Sequence, residues 1–151
     1  SKQNHQLTTK SIEYEIIKGD HYVKDLLNCD TLLCIKRFRV LDNVPFALML
    51  NYLDIKQVAN LEEKFKIESL YSFLKDEYNI EFYNAEETVE AKDATKEESE
   101  KLGIKEEASL LSLHRLSFDK YNKPVEYSDI VIKADMYKHK ITLSNDKMSN
   151  M

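Results

Sequence analysis

Leu32-Leu33-Cys34-Ile35-Lys36-Arg37-Phe38-Arg39-Val40, closed by Asp42-Asn43 and reopened by Pro45, reads as a strand, a tight turn and a returning strand that runs to about Leu53. Dense aliphatic and aromatic residues bounded by turn residues are the signal for such a hairpin. The signature returns near the C-terminus. There Leu110-Leu111-x-Leu113-x-Arg115 runs on to Phe118, the turn spans Asp119 to Lys123, and Pro124 to Lys133 comes back. Arginine and proline are eight residues apart in the first hairpin and nine in the second, so the second turn holds one extra residue. A repeated Leu-Leu-x-aliphatic-x-Arg hairpin predicts one sheet built from two related halves, with a short helix packed in each. Chance likeness between two hairpins is the alternative. Short turns predict mainly antiparallel pairing.

Outward from the hairpins, Ile12-Glu13-Tyr14-Glu15-Ile16 alternates with period two, as a half-buried strand does. His21 to Leu27 suits a short helix with Asp20 as N-cap. Ser69 suits the N-cap of a helix running to Tyr78, because Leu70, Phe73 and Leu74 fall on one stripe. Ile80 to Ala91 alternates in part and reads as a strand. Thr95 with Glu98 makes a capping box, and Gly103 closes that helix. Tyr137 to Leu143 reads as a last strand. The expected organisation is a polar linker end at residues 1–10, one domain at 11–145 and a tail at 146–151. The fold class is α/β in the α+β sense, a mainly antiparallel central sheet with helices on it.

The chain has 151 residues, 42% of them hydrophobic, enough for one core of ordinary size. Two Gly and two Pro leave no material for a glycine-rich phosphate loop, and they argue for long regular elements. A net charge of −5, with 22 basic residues dispersed among 27 acidic ones, lacks the clustered cations that a nucleic-acid surface needs. Cys29 and Cys34 lie five apart, which is no metal spacing, and read as two buried reduced thiols in a cytoplasmic protein. No apolar run approaches bilayer length and no signal peptide is visible, so no membrane partner is expected. The opening Ser1-Lys2-Gln3-Asn4-His5 reads as a fragment cut from a longer protein.

Which residues could carry chemistry? Arg37 and Arg39 are two apart on one strand and leave by the same face. Paired guanidiniums make sense where an anion bridges them, because each offers a forked pair of donors to phosphate or carboxylate. Two solvent-facing arginines on an outer sheet face fit the spacing as well. Ser69 at a helix start could cap the helix, bind an anion at the exposed N–H groups, or do both. Glu126, two residues after Pro124, could accept hydrogen bonds from ligand hydroxyls, or could simply be a charge at a strand edge. His114 invites a catalytic role, but no Ser or Cys stands in a recognisable nucleophile context, and four scattered histidines build no triad or metal signature. Catalytic residues, metal and cofactor are therefore expected to be none. Glu86 to Glu107, with interspersed lysines, reads as a solvated face carrying i,i+4 pairs such as Glu97 and Lys101.

Taken in order, these pieces resemble the UTRA domain, the effector-binding module of the HutC branch of GntR-type bacterial transcription regulators. The matching residues are Arg37-x-Arg39, Asn43-x-Pro45-Phe46-Ala47, Ser69-Leu70-Tyr71, Leu102-Gly103-Ile104, Leu110-Leu111-x-Leu113-x-Arg115 with Phe118-Asp119, Pro124-Val125-Glu126-Tyr127 and Ala134-Asp135-Met136-Tyr137. They span roughly residues 10 to 143. The resemblance implies a chorismate-lyase-like fold, a homodimer and a small-molecule effector pocket without turnover. It implies that Arg37, Arg39 and Ser69 hold the phosphate of a sugar phosphate or another small anion, and that Glu126 meets ligand hydroxyls. It also implies that operator DNA is read by a winged helix-turn-helix preceding residue 1, not by this chain. Two positions depart from sugar-phosphate readers, which often carry Glu where this chain has Met49 and Tyr where it has Ile132. Both changes put apolar groups where hydrogen bonds are expected. A dimerisation-only module that has lost its ligand, and a chorismate-lyase-like enzyme, are the alternatives.

Overall fold

The structure is a computed structural model that describes residues 6–66 and 69–145. Its centre is a six-stranded antiparallel sheet in the order β1-β2-β3-β6-β5-β4. The strands are β1 (Leu7–Ile17), β2 (Leu32–Leu41), β3 (Val44–Asp54), β4 (Asn84–Asp93), β5 (Ser109–Phe118) and β6 (Pro124–Lys133). The helices are α1 (Tyr22–Leu27), α2 (Leu61–Lys64), α3 (Leu70–Tyr78) and α4 (Lys96–Leu102), with 3₁₀ turns at Ile55–Gln57 and Ala134–Met136. Each half of the chain is therefore β-α-β-β, with α1 between β1 and β2, and α4 between β4 and β5. The halves join through the central antiparallel β3–β6 pair, so the repeated hairpins are structurally equivalent and Arg115 is the counterpart of Arg37.

Local chemistry explains the connections. Asp42 (φ 51°) and Asn43 (φ 66°) both take the left-handed conformation of a two-residue hairpin turn. Asp119 Oδ1 accepts the backbone N–H groups of Tyr121 and Lys123 and so organises the longer turn between β5 and β6. The Thr95–Glu98 capping box forms in both directions, and Gly103 (φ 66°) closes α4.

Both faces of the sheet are covered over its central strands, while the edge strand β4 is exposed. On one face Leu33, Ile35 and Leu53 pack with Val58, Leu61 and Phe65, and with Leu70, Phe73 and Leu74 of α3. On the other face α1 contributes Val23 and Leu27 against Cys34, Tyr52 and Tyr127, and Leu102 of α4 packs on Leu110 and Val131. Among the described residues, no helix is long and apolar enough to cross a membrane.

Several expectations need correction. The linker end expected at residues 1–10 gives way to β1 at Leu7. Its polar Leu7-Thr8-Thr9-Lys10 lies on the sheet edge, where half the backbone groups face solvent and polar side chains are tolerated. Residues 1–5 of that linker end and the tail at 146–151 lie outside the described residues. His21, not Asp20, caps α1, its Nδ1 accepting the Val23 N–H at 3.2 Å. The strand read at 80–91 begins at Asn84, because Ile80 and Phe82 pack on the core under α3 instead. Tyr137 to Leu143 forms no strand, since the 3₁₀ turn at Ala134–Met136 carries the chain off the sheet. Cys34 is buried and Cys29 half-buried, both as free thiols, and burial pushes the Cys34 thiol up to about 11.

Candidate functional site

Strand register places the side chains of the α3 face in transverse rows. One row is polar across its middle: Ile35 on β2, Asn51 on β3, Ser128 on β6, Arg115 on β5 and Glu87 on β4. The next row begins with Arg37 and the one after it with Arg39, so the two arginines do share a face. They are buried, 5% and 8% exposed, which settles against two solvent-facing arginines. Burying a guanidinium is costly unless it is hydrogen-bonded, so these positions carry a penalty that the surroundings must offset.

Part of the offset is a relay that sequence reading missed. Arg37 Nη2 donates to Asn51 Oδ1 at 2.9 Å, and Asn51 Nδ2 donates to Glu126 Oε2 at 2.8 Å. Ser128 Oγ donates to the same carboxylate oxygen at 2.6 Å, and Ser117 Oγ to Oε1 at 3.4 Å. Glu126 is thus no strand-edge charge: it is fully buried in the centre of the sheet. The signal for Asn51 was available, as a lone polar residue on the inward phase of Met49-x-Asn51-x-Leu53. Burial raises the Glu126 pKa above its ordinary value, against the lowering pull of Asn51, Ser128, Arg115 and Ser117.

That shift has a definite sign. Between the ordinary carboxylate pKa and the raised one, the native state holds a proton that the unfolded chain has released. Stability attributable to Glu126 therefore falls as pH rises through this window. The urea midpoint of the wild type should drop more between about pH 5 and about pH 8 than that of Glu126→Gln, whose side chain does not titrate. Equal drops would show that Glu126 ionises in the fold as it does in the open chain.

Arg115, the repeat counterpart of Arg37, is engaged differently. Its Nε donates to Glu87 Oε2 at 2.7 Å and its Nη1 to the Tyr71 hydroxyl at 3.0 Å. The repeat itself was the signal for it. Glu87 is exposed, as expected of residues 86–107, and pairs with Arg115 at 2.7 Å, while Glu97 and Lys101 pair at 3.2 Å.

Tyr71 belongs to the first turn of α3, so that end of the helix lies over the same sheet surface. Ser69 is the N-cap there: its Oγ accepts the Ser72 N–H at 3.4 Å and donates to Ser72 Oγ at 3.0 Å. Arg37 and Glu126 are thus brought together through Asn51, Arg39 stands one row away, and Ser69 sits at the head of the covering helix. Met49 and Ile132 lie on this face too, packed with Ala47, Leu113 and Ile130. His114 lies on the opposite face between Ser112 Oγ at 3.1 Å and the Tyr127 hydroxyl at 3.0 Å, apart from these residues.

The family model for the UTRA domain matches residues 2–138. The HTH-type transcriptional repressor NagR of Bacillus subtilis is 24% identical over 132 residues, covering 85% of this chain and 54% of NagR. The chain thus spans about half the length of this curated relative. The effector domain of PhnF from Mycobacterium smegmatis superposes with a TM-score of 0.82 at 19% identity, covering 93% of this chain and 88% of that one. A GntR-family transcriptional regulator from Bacillus cereus gives 0.79 at 14% identity, covering 94% and 100%.

Proposed function

The chain belongs to the UTRA domain family, the effector domains of GntR-type transcription regulators, and from that premise we propose that it senses a small anionic effector in the cytoplasm for a DNA-bound, homodimeric regulator of the HutC branch. The observation that carries this reading is the pair of buried arginines, Arg37 and Arg39, on one sheet face, with Arg37 tied to buried Glu126 through Asn51. Arg37 and Arg39 grip a phosphate or carboxylate, each through its forked donors. Ser69 adds its hydroxyl and the N–H groups of the first turn of α3. Glu126 takes part chiefly by fixing Asn51, and so the direction of Arg37, because its own oxygens already accept three protein donors. No residue is assigned a catalytic task.

Coupling to DNA follows from linkage. An effector that binds one arrangement of the dimer better than another shifts the population, and with it the geometry of DNA-reading parts elsewhere in the regulator. Because dimeric readers need a fixed half-site spacing, a modest reorientation suffices to change operator affinity.

Thermal unfolding of this chain against sugar phosphates, free sugars and small organic anions, beside Arg37→Ala, tests the reading. A ligand at 100 times its Kd stabilises by about 2.7 kcal/mol, which is a shift of roughly 5–10 °C for a domain of this size. The shift should appear with an anionic compound and vanish in Arg37→Ala. A flat response to every anion sinks the proposal and favours a module that only dimerises.

A further inference from the structure

The two rows that start at the arginines have a composition that the anion reading does not use. Arg37 is followed across the sheet by Met49, Ile130, Leu113 and Val89. Arg39 is followed by Ala47, Ile132, Leu111 and Ala91. Beyond the two guanidiniums, both rows are apolar across four strands. Side chains two apart on neighbouring strands are within reach of one another, so these rows form a continuous floor running sideways from the arginines. Two aromatic rings pack on that floor, Phe46 from the start of β3 and Tyr137 from the irregular segment after β6.

The polar row beside the floor offers little to a hydroxylated ligand. Glu126 Oε2 already accepts from Asn51 and Ser128, and Oε1 from Ser117. Arg115 is held by Glu87 and Tyr71. A sugar ring laid beside the arginines would lose its water and find aliphatic carbon, leaving hydroxyls unsatisfied, which is the costly outcome for buried polar groups. A hydrocarbon body would gain from the same surface.

We propose that the effector is an amphipathic anion, with a phosphate or carboxylate at Arg37 and Arg39 and an aromatic or aliphatic body on the floor of Met49, Ile130, Leu113, Ala47 and Ile132. This rests on the anion reading of the same site and specifies what the anion is attached to. Phe46 and Tyr137, which pack on this floor, border the body.

Calorimetric titration of the chain with three probes tests it: inorganic phosphate, glucose 6-phosphate and phenyl phosphate. Phenyl phosphate should bind at least about tenfold more tightly than glucose 6-phosphate, a difference of about 1.4 kcal/mol. Met49→Gln, close in shape and neutral, should narrow that preference by several-fold. Glucose 6-phosphate binding as tightly as phenyl phosphate would overturn the inference and leave the anion reading standing. A preference that Met49→Gln does not narrow overturns it too, because the floor would then not be what selects. If none of the three binds, or if phenyl phosphate binds Arg37→Ala equally well, the anion reading itself fails and takes this inference with it.

Discussion

Asn51→Leu is expected to lower folding stability by about 3–5 kcal/mol, the usual cost of breaking a buried charge relay from one side. Leucine keeps the branched shape of asparagine but is bulkier, so packing adds a smaller cost of its own. The larger loss comes from chemistry. Asn51 is 1% exposed, and its amide both accepts from Arg37 Nη2 and donates to Glu126 Oε2. Leucine does neither, so a guanidinium and a carboxyl group buried on the same face each lose a partner that water cannot replace. Part of the cost is specific to the Glu126 carboxyl group that Asn51 Nδ2 holds. The double substitution Asn51→Leu with Glu126→Gln should therefore be less destabilised than the sum of the two single changes, a coupling that a double-mutant cycle in urea reads directly. Additive losses would mean that Asn51 and Glu126 are independent neighbours, and the relay would have to be abandoned.

The relay also shows where sequence reading succeeds and where it stops. The hairpins were legible because their turns are local: Asp42 and Asn43 accept left-handed backbone, and Asp119 collects two N–H groups through its own carboxylate. The two-half sheet was legible because the Leu-Leu-x-aliphatic-x-Arg repeat marks equivalent strands, and the β3–β6 pair places them symmetrically. Tyr137 to Leu143 was misread because local composition cannot show whether a strand has a partner. A strand needs a neighbour with free backbone groups, and the 3₁₀ turn at Ala134–Met136 takes this segment away from both sheet edges. Spacing put Arg37 and Arg39 on one face, but nothing local could say that α3 packs on that face, since that depends on Leu70, Phe73 and Leu74 meeting Leu33 and Ile35 from beyond β3 and α2. Asn51 and Glu126 are 75 residues apart in the chain, so their contact is a product of the sheet order alone.

Because α3 carries Ser69 and Tyr71 beside the candidate site, damage to its packing should affect function beyond its effect on stability. Leu74→Ala removes a fully buried side chain from the α3 face of the sheet and should cost about 2–5 kcal/mol. At 2–4 °C per kcal/mol, that is a fall in Tm of roughly 4–20 °C. Leu102→Ala removes an equally buried leucine from α4 on the opposite face, and its cost should lie in the same range. The two variants part company when the anion is added. In Leu74→Ala the cavity lies beneath the helix that carries Ser69 and Tyr71, so those groups lose their fixed distance from the arginines and binding weakens with them. In Leu102→Ala the cavity lies behind the sheet, and the floor and both arginines keep their supports. At one anion concentration, the ligand-induced rise in Tm should therefore shrink in Leu74→Ala and persist in Leu102→Ala. Equal shrinkage in both would mean that the α3 face is not the binding face, since a cavity on either side of the sheet would then disturb binding alike.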